Sequence, residues 1–171
     1  MIIGITGKSG VGKTTYANNL AKNSKFYVVH IDDVSHEVME LEKIKTELVK
    51  IFGNDVIKDG IVDRKYLGDI VFANRHLYKN ISDMIWEEVK LRLNEVLQTY
   101  ENVILDWILL PHSHYWKLCD RKILIIANET ERKKKVMLRD NISKEYLDKR
   151  DSAGIDYKDI DFDEIIINKY K

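Results

Sequence analysis

"MIIGITGKSGVGKTT", residues 1–15, decides the fold. The mostly apolar run Met1–Thr6 reads as a buried strand. It ends at Gly7; Gly12 follows, then Lys13 and Thr14 open a helical pattern over 13–22. Strand, glycine turn and helix N-terminus in this order meet a specific demand. Backbone N–H groups converge on phosphate oxygens only where side chains are absent from the inside of the bend. The helix then aims its unsatisfied N–H groups and positive dipole end at the same anion. The stretch fits G-x-x-x-x-G-K-[ST], the phosphate-binding loop or P-loop. A nucleotide therefore falls against Gly7, Lys8, Ser9, Gly10, Val11, Gly12, Lys13, Thr14 and Thr15. The Lys13 ammonium suits the β- and γ-phosphates, and the Thr14 hydroxyl suits Mg²⁺.

Outward from this loop, apolar β-type runs alternate with helical patterns. "FYVVHI" (26–31), "NVILDW" (102–107), "KILIIA" (122–127) and "DEIIIN" (163–168) read as four further strands. Val34, Val38, Leu41, Ile44, Leu48 and Ile51 step by three or four, which predicts one helix over about 34–51. "FGNDVIKDG" breaks that pattern with two glycines and turn residues. Further helices are predicted from near Asp63, over 77–98 with Leu77 on its apolar face, and over about 129–140 and 143–151. The fold class is α/β: a P-loop NTPase domain with a five-stranded, mainly parallel sheet flanked by helices. Ligands in such sheets sit outside the carboxyl ends of the strands.

Composition excludes several classes. The chain has 171 residues, with 28 Lys and Arg against 28 Asp and Glu, so it is not a globally basic nucleic-acid binder. No nucleic-acid partner and no membrane are expected. The N-terminus reads as a strand rather than a signal peptide, and no apolar run approaches the roughly 18 residues of a membrane span. The single cysteine, Cys119, forms no internal disulfide; a structural thiol and a cytoplasmic location are expected. "PHSHYW" (111–116) reads as a loop and lacks further ligands for a metal.

The loop alone names no reaction. A GTPase would need N-K-x-D after a later strand, and "NETE" stands after "ILIIA". A small-molecule kinase fits the size. It needs a carboxylate to orient or deprotonate the acceptor hydroxyl. Asp32 and Asp33 follow the second strand; Asp33, directly before the helix predicted from Val34, suits an N-cap, and Asp32 is the better catalytic candidate. Asp106 ends "VILD" and is the candidate for holding Mg²⁺, directly or through water; it also reads as a strand-end turn residue.

These residues resemble the dephospho-coenzyme A kinase family. "GITGKSGVGKTT" is similar to that family's opening loop, and "IDDVSHEV" to its aspartate segment, with Asp32 at the general-base position. "FGNDVIKDGIVDRKYLGDIVF" (52–72) matches its F-G, G-x-[IV]-D-R-x-x-L and V-F pattern. "ILDWILL", "RDNIS", Arg150 and "DEIIIN" resemble its third-strand, lid and last-strand segments. The resemblance implies ATP-dependent phosphorylation of the ribose 3′-hydroxyl of dephospho-CoA, with Mg²⁺ and in-line transfer. It implies Asp32, Lys13 and Arg139 in catalysis, and Asp32, Arg64, Asp106 and Arg150 about the acceptor. It further implies a core (1–33, 99–128, 160–171), an acceptor-binding helical region (34–98) and a lid (129–153), as a monomer or small homo-oligomer. On the residues alone, Arg64 also reads as an ion-pair partner of Asp63 or Asp69, and Arg139 as part of a solvated charged face. The chain departs from the family pattern at His30, Trp86-Glu87, Ile108, His112, Arg132 and Lys135. Those departures leave open a nucleoside or nucleotide kinase with another acceptor, and a non-catalytic nucleotide binder.

Overall fold

A computed structural model describes residues 1–22, 24–73, 75–152 and 154–169, with the backbone alone for 72, 73 and 75–78. The side chains of Phe72 and Leu77, and residues 153, 170 and 171 at the ends of the expected lid and core, lie outside the described residues. The chain divides into two compact units, 1–30 with 100–171, and 31–99.

The first unit holds a sheet of β1 (Ile2–Thr6), β2 (Tyr27–His30), β5 (Val103–Asp106), β6 (Arg121–Ala127) and β7 (Glu164–Asn168). Its order is β2-β5-β1-β6-β7, and every pairing is parallel. The five expected strands are all present. β1 and β5 are apolar on nearly every residue because both faces are covered, as a parallel sheet requires. Ile3, Ile5, Ile104, Ile123 and Ile125 form the core with Val11 and with Ala17 of α1 (Lys13–Lys22). At the edge, β7 leaves Ile165 and Ile167 exposed. "PHSHYW", expected as a loop, is a 3₁₀ turn (Leu110–His112) leading into α6 (His114–Leu118). Tyr115 and Trp116 are buried there, and burial is what orders the segment. Trp116 meets Phe162 edge to face at 5.7 Å. Cys119 is buried, as a structural thiol should be.

α7 (Glu129–Asp140) and α8 (Lys144–Ser152) complete this unit. Asn128 caps α7, its side chain accepting from the N–H groups of Thr130 and Glu131. Asn141, in the left-handed region, closes it.

The second unit is mostly helical. The helix expected over 34–51 is two: α2 (Ile31–Met39) and α3 (Glu42–Phe52). Leu41 between them is extended (φ −64°, ψ 134°), and the Glu40 carboxylate accepts from the N–H of Val62 at 3.1 Å. The apolar spacing survives the break, and this non-local bond lies beside it. α2 begins directly at the end of β2, so Asp33 lies inside its first turn rather than before the helix. β3 (Ile57–Lys58) and β4 (Ile61–Val62) form a hairpin within the expected turn segment. Its two-residue loop, Asp59-Gly60, has positive φ at both positions, which matches the strand twist. α4 (Arg64–Ala73) and α5 (Arg75–Thr99) follow, as expected. Among the described residues, no helix is long and apolar enough to cross a membrane.

Candidate active site

The glycine loop spans Gly7 to Gly12 between β1 and α1. β1 lies between β5 and β6, so the loop leaves the carboxyl edge of the sheet at its centre. Two of its glycines are demanded by geometry. Gly7 has φ +145°, and a Cβ there would sit 2.3 Å from the carbonyl oxygen of Ile125. Gly12 has φ +93°, and a Cβ would sit 2.5 Å from Nδ2 of Asn168. That same Nδ2 donates to the carbonyl of Val11 at 2.8 Å, clipping the loop to the end of β7. Lys13 Nζ donates to the carbonyl of Lys8 at 3.3 Å, so its ammonium is curled over the loop.

Beneath the loop, α1, β2 and β5 bring four polar side chains together. Thr14 Oγ1 donates to Oδ2 of Asp106 at 2.9 Å. His30 Nδ1 lies 2.8 Å from the same oxygen; an ionised carboxylate only accepts, so Nδ1 carries the proton. His30 Nε2 is 3.2 Å from the side-chain amide of Asn18. Asp106 is 4% exposed, and its other oxygen, Oδ1, is buried with no hydrogen-bond partner among the described residues. A buried carboxylate oxygen left without a donor is costly. A hard cation beside a hydroxyl and a carboxylate satisfies it, so these residues fit Mg²⁺.

α7 brings Arg132 and Arg139 to the loop, and α8 brings Arg150 to Asp140. Arg139 Nη2 donates to Oγ of Ser9 at 3.1 Å, and its Nε to Asp140 at 2.6 Å. Arg150 Nη1 also donates to Asp140, at 3.0 Å. The Arg139 hydrogen bond, with help from Arg150, holds the Asp140 carboxyl below the usual aspartate range. Arg132, fully buried, donates to the carbonyl of Ser9 at 3.0 Å and pairs with Glu129 and Asp151. Lys8 pairs with Glu129 at 3.0 Å. An open hollow of about 480 Å³ beside the loop is lined by Lys8, Ser152, Ile155, Tyr157 and Lys158 among others.

Of the expected site residues, the first unit thus gathers the loop, Lys13, Thr14, Asp106, Arg139 and Arg150. Asp32 and Arg64 belong to the second unit, near the starts of α2 and α4. His36, one turn beyond Asp32, connects them. Burial and then Arg64 hold its imidazole below the ordinary histidine value, against the pull of Asp32 and Asp33. Asn168 and the buried role of Arg132 escape sequence reading. Asn168 is signalled only by a polar residue ending an apolar strand, and Arg132 lies in a run of charges that reads as solvated.

A P-loop on a parallel sheet, with a hydroxyl–carboxylate pair beneath it and arginines on flanking helices, defines a phosphotransferase of the P-loop kinase class. Comparison with known proteins sharpens this. The family model for dephospho-CoA kinase matches residues 1–167. The dephospho-CoA kinase of Fusobacterium nucleatum is 31% identical over 87% of this chain and 78% of its own length. That of Dehalococcoides mccartyi is 31% identical over 98% and 87%. The crystal structure of TT1252 from Thermus thermophilus superposes with a TM-score of 0.83 at 28% identity, covering 99% of this chain and 89% of that one. The chain belongs to the dephospho-CoA kinase family.

Proposed function

We infer that the protein transfers the γ-phosphoryl group of ATP to the ribose 3′-hydroxyl of dephospho-CoA, giving coenzyme A and ADP. Family membership over nearly the whole chain carries this reading, and the loop with its Thr14–Asp106 pair supports the ATP side. The loop N–H groups and Lys13 bind the β- and γ-phosphates and favour the charge that develops during transfer. Lys13 leaves the Lys8 carbonyl to do so. The hollow beside Lys8 takes the nucleoside end of ATP. Thr14 and Asp106 would hold Mg²⁺, which supplies charge neutralisation across the phosphates when bound. Asp32 accepts the proton of the acceptor hydroxyl as its oxygen bonds to the γ-phosphorus. The β–γ bridging oxygen departs with ADP. Arg139, already at Ser9, moves its guanidinium from Asp140 onto the transferring group. Arg64 and Arg150 bind anionic parts of the acceptor. Residues 34–98 supply the acceptor pocket, and 129–153 close as the lid, which excludes water and suppresses ATP hydrolysis. The enzyme works in the cytoplasm.

The test is incubation with Mg-ATP and dephospho-CoA, with mass spectrometry for a product one phosphoryl group heavier. Lys13→Ala is expected to abolish that product, and Asp32→Asn to lower kcat by about 10²- to 10⁴-fold. Bound ATP with no product from dephospho-CoA, but product from another nucleoside, would reassign the acceptor. Asp32→Asn turning over like the parent, with the same pH profile, would remove Asp32 from the base position.

A further inference from the structure

His30 is one of the positions at which the chain departs from the family pattern, and its surroundings show a defined task. β2 and β5 pair in parallel with His30 directly opposite Asp106. Neighbours in register on adjacent strands project to the same face of the sheet, so the backbone itself brings imidazole and carboxylate together. Thr14 and Asn18 are four apart on α1 and share one face of that helix. α1 therefore meets the pair with a hydroxyl on the carboxylate and an amide on the far ring nitrogen.

The two carboxylate oxygens of Asp106 are treated differently. Oδ2 accepts two hydrogen bonds, from Thr14 Oγ1 and His30 Nδ1, at 2.9 and 2.8 Å. Oδ1 is buried and accepts none among the described residues. With the hydroxyl alone, the carboxylate could pivot about its Cβ–Cγ bond and exchange its oxygens. The second donor, held at its far side by Asn18, fixes the plane of the group.

We propose that His30 is a positioning residue: its Nδ1–H anchors Oδ2 of Asp106 so that Oδ1 is presented to the divalent cation. This rests on the reading that Asp106 and Thr14 hold Mg²⁺. The ring is a donor that spends one carboxylate oxygen on orientation and leaves the other for the metal. His30 thus preorganises the site before the metal arrives. Outer partners of metal ligands act in this way elsewhere, and removing them typically costs about ten- to hundredfold in metal affinity.

The experiment compares full-length His30→Ala, His30→Asn and Asp106→Asn with the parent. Mn²⁺ binding is read by the loss of its free-ion electron paramagnetic resonance signal, in the presence of a non-hydrolysable ATP analogue. The Mg²⁺ concentration for half-maximal turnover is read separately from kcat. His30→Ala is expected to weaken Mn²⁺ binding about ten- to hundredfold, while metal-free analogue binds as before. His30→Asn, whose amide can donate to Oδ2, should recover most of that loss. His30→Phe fills the ring's space without a donor and should match His30→Ala, which keeps the test valid if the smaller residue unfolds the protein. If Asp106→Asn loses Mn²⁺ but His30→Ala and His30→Phe do not, the role of His30 is overturned and the metal reading stands. If Asp106→Asn binds Mn²⁺ like the parent, the metal reading falls and this proposal with it.

Discussion

Asn168 shows how a residue outside the motif shapes the motif. Its amide holds the carbonyl of Val11 and stands where a side chain on Gly12 would go. Asn168→Ala removes one hydrogen bond, worth about 1 kcal/mol. It is expected to raise KM for ATP about fivefold with a smaller effect on kcat, as steady-state kinetics would show. Cys119 makes an opposite case, a group built to stay out of the chemistry. Burial pushes its thiol up to about 12, and its Sγ contacts the carbonyl of Tyr115 at 3.2 Å. The thiolate is the nucleophile. A disulfide reagent at about pH 8 should therefore label Cys119 only when denaturant unfolds the chain. Labelling as fast as a free thiol in the native protein would contradict that. The burial of this cysteine was legible because a lone thiol is by default a buried, structural one. Asn168 was not, because the bond it makes spans 157 positions of chain.

At the scale of elements, local patterns were read well and non-local interruptions were not. α1 and α7 have the limits that the glycine loop and "NETE" suggest. The split between α2 and α3 is invisible to periodicity, since the apolar spacing runs through it and the Glu40–Val62 bond beside it reaches a hairpin 22 residues away. The hairpin itself was legible: Asp-Gly between Ile57-Lys58 and Ile61-Val62 is a strong local signal, here read only as a turn. Gly60, at φ +79°, should lose about 1 kcal/mol of stability on replacement by Ala, measured by urea unfolding. Arg132 ties α7 to α8 and to the loop, through Asp151 and the Ser9 carbonyl. Arg132→Ala would leave the mostly buried Asp151 carboxylate without its partner, an expected cost of about 3 kcal/mol in the same measurement. An unchanged midpoint would mean that water replaces the guanidinium without loss.

Across the whole molecule, chemistry and charge are unevenly placed. The glycine loop and the Thr14–Asp106 pair lie in the unit formed by 1–30 and 100–171, and Asp32 and Arg64 in 31–99. In the first unit, Asp140 serves two arginines, and its lowered carboxyl has a consequence for acid stability. The native state binds that proton less readily than the unfolded chain. The stabilisation is therefore complete above the ordinary aspartate value and is lost as pH falls from there through the lowered native value. Thermal unfolding between about pH 5 and pH 3 should show a shallower decline in Asp140→Asn than in the parent. The edge strand β7 has a different consequence, colloidal rather than catalytic. The chain carries no net charge near pH 7, and Ile165 and Ile167 stand 58% and 64% exposed on a strand whose outer edge pairs with no other strand among the described residues. Concentrated solutions near neutrality should scatter light increasingly with time. A lysine at either isoleucine should delay that clouding, because like charges would then meet wherever two such edges approach.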